Sequence, residues 1–165
     1  MYLNNYIKSI DFALKNSIYS IKGKNFDGDT FFEKLKIHTQ FLKKNNSRIF
    51  FFGNGASAAF SNHMALDWSK NGGINSFSLS DSALLTALSN DYNFEDSFLE
   101  FLKIYNPTHN DFIVTTSSSG NSKNIINILK YCKKNNIPSL ALSGLNKKNM
   151  SIDYSDFSIF VPMKT

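Results

Sequence analysis

The chain has one cysteine, Cys132, among its 165 residues. A lone thiol cannot close an internal disulfide, which excludes a cross-linked secreted scaffold and makes the reducing cytoplasm the expected compartment. No apolar run approaches the ~20 residues that cross a bilayer, so no membrane-spanning helix is expected. The N-terminal stretch MYLNNYIKSIDF has polar and charged residues where a signal peptide needs an apolar core. Acidic residues are few, 13 against 18 lysines and arginines, for a net charge of +5. That balance suits nucleic acid or an anionic metabolite alike. The lysines are scattered, in short pairs at Lys43-Lys44, Lys133-Lys134 and Lys147-Lys148. Without a lysine-clustered face, nucleic acid is not an expected partner. Neither an internal repeat nor a low-complexity segment is visible.

What is present is an ordinary globular composition, 42% hydrophobic and 19% charged, at a length suited to one domain with a real core. Leu3, Tyr6, Ile7, Ile10, Leu14, Ile18 and Ile21 recur at helical spacing and predict a helix over residues 2–22. Thr30, followed three residues later by Glu33, reads as a capping box that opens a second helix to about Lys44. Residues 1–46 thus read as an N-terminal helical arm suited to packing on a partner subunit. Residues 47–165 read as an α/β core. Its strands are expected at 48–52, 74–79, 111–115, 138–142 and 157–161. Helices are expected between them at 56–70, 81–89, 94–105 and 121–134. Strands alternating with helices predict a three-layer α/β sandwich around a five-stranded parallel sheet. Ligands of such sheets bind beyond the carboxyl ends of the strands.

Two loops fall at such ends. The first is Gly53-Asn54-Gly55-Ala56-Ser57-Ala58, and the second is Ser117-Ser118-Ser119-Gly120-Asn121-Ser122. A strand turning tightly into a helix leaves unpaired backbone N–H groups at the positive end of the helix dipole, where phosphate binds. Gly53 and Gly55 permit close backbone approach, and Ser57 stands at the helix start. Serine hydroxyls in the second loop can donate to phosphate oxygens or cap the helix. Two such loops suggest one phosphorylated small molecule held from two sides. Three plainer readings stand beside this one. The first loop can be a tight turn with a capping serine, and the second a solvated serine turn. The spacing Gly53-x-Gly55-x-x-Ala58, with Asp81 after the next strand, also satisfies a dinucleotide fingerprint.

His63 and Asp67, four residues apart, share one face of the helix after the first loop. Such a pair can act as acid and base, share a metal, or be a surface ion pair. Asn90 and Asp91 can accept sugar hydroxyls, while Glu95 and Asp96 can cap the next helix. His38 and His109 lack such context, and Cys132 lies on an apolar helix face.

These motifs, in order, resemble the SIS (sugar isomerase) domain family, and within it they look most like the phosphoheptose isomerases. The resemblance rests on Gly53–Ala58, His63-x-x-x-Asp67, the run Leu85–Asp96 and Ser117–Ser122. It implies a flavodoxin-like parallel sheet, usually a homotetramer, and conversion of sedoheptulose 7-phosphate to glycero-manno-heptose 7-phosphate for bacterial surface polysaccharide. It further implies phosphate contacts from Ser57, Ser117, Ser118 and Ser122. The remaining substrate contacts fall on Asn54, Gly55, Ser119, Asn90 and Asp91. The family's general base is a glutamate that falls on Asp67, one methylene shorter. Some members bind zinc through that residue and the helix histidine, here His63, with a C-terminal Gln and His. The helix bearing those two would begin where this chain reads Val161-Pro162-Met163-Lys164-Thr165, so the chain as read is expected to lack the general-acid histidine. The competing expectations are a non-catalytic phosphosugar-binding or assembly module and a nicotinamide-dinucleotide domain.

Overall fold

Hydrophobic strands that alternate with helices fold here around one mixed sheet. A computed structural model describes residues 1–163. The final two residues of the tail named above, 164 and 165, lie outside the described residues. The elements run α1 (Tyr2–Lys15), β1 (Ile18–Ile21), β2 (Lys24–Phe26), α2 (Gly28–Lys44), β3 (Ile49–Gly53), α3 (Ala56–Lys70) and β4 (Ser76–Ser78). They continue with α4 (Ser82–Asp91), α5 (Ser97–Ile104), β5 (Phe112–Thr116), α6 (Lys123–Lys134), β6 (Ser139–Ser143), α7 (Met150–Tyr154) and β7 (Phe157–Phe160). The sheet order is β2-β1-β7-β6-β5-β3-β4.

The expectation of a five-stranded parallel sheet is corrected to a seven-stranded mixed one. Strands β4, β3, β5, β6 and β7 pair in parallel, and an antiparallel hairpin, β1–β2, adds to the β7 edge. The hairpin replaces the end of the helix expected over 2–22, which stops at Lys15. Ile18 and Ile21 fit a helical stripe, but Ile18-Tyr19-Ser20-Ile21 is equally a β-branched and aromatic strand. The turn decides the matter: Lys22 and Gly23 both take positive φ, 49° and 75°, as a two-residue hairpin loop requires.

The second helix also starts earlier than expected. Asp27 is its cap, accepting from the Thr30 N–H at 2.8 Å and the Thr30 hydroxyl at 2.7 Å. A carboxylate two turns of chain before Glu33 thus displaces the expected Thr30 box. The helix expected from residue 94 begins at Ser97, because Asn93 and Asp96 close a turn on themselves, Asn93 Oδ1 accepting from the Asp96 N–H at 2.8 Å.

Along β3 the side chains alternate between two apolar layers, which is why the strand is apolar throughout. Phe50 and Phe52 face α5 and α6 through Phe98, Leu102, Ile125 and Leu129. Ile49 and Phe51 face α2 and α3 through Phe31, Leu42 and Ala65. Each phenylalanine buried this way stabilises the fold by about 1.5–3 kcal/mol. His38 belongs to the second layer, its ring 4.6 Å from that of Phe112 and 5.5 Å from that of Phe157. Desolvation lowers its pKa below the ordinary value, opposed by the Asp156 charge. Among the described residues, no helix is long and apolar enough to cross a membrane.

Candidate functional site

Strand order fixes where a ligand can sit. From β3 the chain crosses to β4 on one side, and it then returns to β5 on the other before continuing to β6 and β7. The reversal lies between β3 and β5, and the crevice beyond their carboxyl ends is the binding position of such sheets. Gly53 pairs in register with Thr116, so both Gly/Ser loops leave the sheet side by side at that point.

In the first loop Gly53 is buried, and a Cβ there would lie 2.6 Å from the Ser57 backbone carbonyl carbon. Gly55 caps α3 with φ 57° and ψ −124°, a conformation reserved for glycine. Ser57 follows in the first turn, its N–H donating to the Asn54 carbonyl at 3.0 Å. The Asn54 amide turns elsewhere: it exchanges two hydrogen bonds with Asn124 on α6, at 3.0 and 2.9 Å.

In the second loop the serine hydroxyls face one another loosely. Ser117 Oγ lies 3.3 Å from Ser122 Oγ and 3.5 Å from Ser119 Oγ. Ser117 is buried, Ser119 and Ser122 are half-buried, and Ser118 is exposed. Ser122 occupies the cap position of α6 without a capping bond from its side chain. Neither α3 nor α6 has an acidic residue in its first turn, so nothing there offsets the positive helix end. Hydroxyls with spare donors at two such ends can accept an anion.

A third segment, after β6, holds the serine loop from behind. The Gly144 and Leu145 N–H groups donate to the Ser118 carbonyl at 3.0 and 2.8 Å. Gly120, at φ 65°, lies against buried Asn149, and a Cβ there would collide with the Asn149 side-chain amide. Asn149 is fixed in turn by donating to Ser143 Oγ at 3.1 Å and the Asn146 carbonyl at 2.7 Å. Asn124 and Asn149 were not foreseen. The one available sign was polar asparagine set among apolar residues, such as Asn124 before Ile125-Ile126.

His63 and Asp67 meet as expected, Nε2 to Oδ2 at 3.3 Å, on the solvent side of α3. The side chains are 68% and 39% exposed. The Asn71 amide also donates to Asp67 Oδ1 at 3.3 Å. The pair stands roughly 9–15 Å along the helix from Ser57 at 1.5 Å per residue. Zinc takes four ligands in most sites. Among the described residues no third His, Cys, Asp or Glu joins this pair.

Asn90 and Asp91 end α4, both exposed, with the Asn90 amide donating to Asp91 Oδ1 at 3.1 Å. No hydrogen bond ties them to either loop. The neighbouring turn is tied instead: Lys123 Nζ meets Glu95 Oε1 at 2.6 Å, and the Asn127 amide donates to Asp96 Oδ1 at 2.8 Å. Asp81, the acid of the dinucleotide alternative, caps α4 by accepting from the Leu84 N–H at 2.8 Å. His109 is exposed in its turn. Cys132 is buried, and desolvation pushes its thiol up to about 12. A cavity of about 1020 Å³ opens at the opposite end of the sheet, lined by Lys22, His38, Pro138 and Asp156. It contains none of the loop residues.

The SIS domain family matches residues 36–144, a span that takes in both loops and the helix pair. The chain belongs to the SIS domain family. As an SIS domain it is 36% identical over 125 residues to phosphoheptose isomerase 2 of Campylobacter jejuni, covering 72% of this chain and 61% of that one. It is 35% identical over 127 residues to the phosphoheptose isomerase of Aneurinibacillus thermoaerophilus, covering 73% and 63%. The matched part is thus a little under two thirds of either relative. In three dimensions the SIS domain superposes on the phosphoheptose isomerase of Neisseria gonorrhoeae with a TM-score of 0.74, at 24% identity, over 99% of this chain and 86% of that one. At that identity the superposition speaks for the fold.

Proposed function

We propose that this SIS domain binds a heptose 7-phosphate and acts in its aldose–ketose isomerisation, sedoheptulose 7-phosphate being one partner of the pair. The observation that carries the reading is the pair of hydroxyl-rich loops side by side at the β3/β5 reversal. The names of its relatives supply the sugar. Ser57, Ser117, Ser118, Ser119 and Ser122 hold the phosphate, with backbone N–H groups of the two helix starts. Binding energy at that remote group then positions the reacting carbons. Asp67 accepts the proton moved between C1 and C2 through an enediol, and His63 orients the carboxylate. Asn90 and Asp91 belong to this reading as acceptors for sugar hydroxyls.

Further features fit the reading. Helix α1 exposes Tyr2, Leu3, Tyr6, Ile7, Ile10 and Leu14, each at least 43% exposed. A 14-residue helix with an apolar stripe gains stability chiefly from packing, which supports self-association through this arm. A free buried thiol at Cys132 suits the reducing cytoplasm.

The exposure of His63 favours a second reading, a phosphosugar-binding domain without turnover, because proton abstraction benefits from excluded water. One experiment separates the two. The protein is mixed with sedoheptulose 7-phosphate and followed by NMR, beside Asp67→Asn. Turnover in the wild type, lost by about 100-fold or more in Asp67→Asn, supports the isomerase. Binding without turnover in either protein supports the second reading.

A further inference from the structure

Asn124 is 2% exposed, in the first turn of α6 among the isoleucines that pack on the sheet. An amide there is costly unless every polar atom is paired, by about 1–3 kcal/mol for each group left alone. Each is paired. Asn124 Oδ1 accepts from Asn54 Nδ2 at 3.0 Å and from the Ile125 N–H at 3.0 Å, and Asn124 Nδ2 donates to Asn54 Oδ1 at 2.9 Å. The Ile125 N–H requires an acceptor, which fixes the orientation of both amides. An isoleucine at position 124 would fill the same apolar layer but leave the Ile125 N–H and the Asn54 amide without these partners. The asparagine therefore serves the start of α6 and, seventy residues away in sequence, the contact with position 54.

That contact leads to the ligand crevice. Asn54 stands between buried Gly53 and left-handed Gly55, and its carbonyl accepts the Ser57 N–H at 3.0 Å. On the other side, Asn124 is two residues past Ser122, the last hydroxyl of the serine loop. A chain of bonds thus runs from the start of α6 through the Asn124 and Asn54 amides to the start of α3. We infer that Asn124 is a positioning residue: paired with Asn54, it sets the separation of the two hydroxyl loops so that Ser57 and the Ser117–Ser122 loop grip one phosphate together. The inference rests on the phosphosugar reading above. It also gives Asn54 a second task beside the sugar, since one N–H and one oxygen lone pair of its amide go to Asn124.

The test is a cycle between two residues that share no hydrogen bond, Ser57 and Asn124, read as calorimetric affinity for sedoheptulose 7-phosphate. In the wild type, Ser57→Ala should weaken binding about tenfold, the usual loss for a hydrogen bond to a charged group. In Asn124→Ala the serine no longer sits at gripping distance, so adding Ser57→Ala should cost less than about twofold. A residue that merely supports the fold would leave the Ser57 factor the same in both backgrounds. Thermal unfolding establishes that each variant is folded. Should Asn124→Ala unfold, Asn54→Ala removes the same pair from its half-buried end. A protein with Ser119→Ala and Ser122→Ala completes the set. If it loses binding while the Ser57 factor is equal in both backgrounds, the clamp is overturned and the phosphosugar reading stands. If it binds as the wild type does, that reading falls and the clamp falls with it.

Discussion

The two ends of the β3–β5 pair are built to opposite rules. At the amino ends, Asp111 is saturated. Its Oδ1 accepts from the Arg48 N–H and Nε at 3.1 and 3.0 Å, and its Oδ2 accepts from Arg48 Nη2 and the Thr108 N–H at 2.7 and 2.8 Å. Its side chain is 4% exposed. Burial pushes the carboxyl pKa up, but the Arg48 and Thr108 hydrogen bonds outweigh it and hold the value below the ordinary carboxylate range. At the carboxyl ends, hydroxyls approach each other at 3.3–3.5 Å, beyond good O–H···O distance, and retain unused donors. A group that stabilises the fold has no bonding capacity to spare, whereas a group that binds must keep some. The same strand pair does both because its ends are separated by a full strand of buried apolar residues.

The largest effect that would break this comparison lies at the amino end. Asp111→Ala leaves the Arg48 guanidinium without its main partner and should cost about 3 kcal/mol, less than a fully buried pair because Arg48 is partly exposed. Urea unfolding measures it, and phosphate affinity of the folded fraction should stay unchanged. A smaller loss of stability joined to a loss of binding is expected from Gly120→Ala. It adds a side chain at positive φ against Asn149, at about 2 kcal/mol for the strained backbone alone. Denaturation and calorimetry on the same sample check both halves.

Next comes the paired change of Ser119→Ala and Ser122→Ala. It should shift stability by about 1 kcal/mol or less, because Ser122 makes no capping bond and Ser119 accepts only the Asn121 N–H, at 3.2 Å, from the backbone. Affinity for the sugar phosphate should nevertheless fall by about tenfold or more. That split between stability and binding is the signature of the carboxyl end.

The smallest effect concerns His38, near the amino end. Its folded pKa is lowered, so between that value and the ordinary one near 6.5 the unfolded chain binds more protons. Stability should therefore be full above pH 6.5 and decline as the pH falls below it. Asp153, Asp156, Lys22 and Lys133 border the same cavity, and of these the Asp156 charge opposes the shift. His38→Phe should flatten the profile just below pH 6.5. The Asp111 contribution is lost only at lower pH, as its carboxyl protonates below the ordinary carboxylate value of about 3.9.

The carboxyl end was the more legible of the two in the sequence. Short apolar runs such as Ile49–Phe52, closed by glycine, read as buried parallel strands, and the Gly and Ser residues that follow have no use inside a strand. Helix α3 and the His63–Asp67 contact followed from spacing alone. The hairpin was hidden because Ile18 and Ile21 suit a helix as well as a strand, and Lys22-Gly23 is not among the usual turn pairs. The cap at Asp27 was hidden by a rival signal three residues on. The Asn54–Asn124 and Gly120–Asn149 contacts depend on which strands become neighbours, and no local pattern encodes that. Asn54 and Gly120 were visible as loop residues, but their partners lay one or more elements away.

The central claim is that one phosphorylated sugar is held between two loops at the carboxyl end. Backbone amide NMR during titration with sedoheptulose 7-phosphate tests it most directly. The account predicts saturable shifts concentrated at Gly53–Ser57 and Ser117–Lys123, both sets following one binding curve. Shifts confined to one loop, or gathered around His38 and Asp156 at the other end of the sheet, would contradict it.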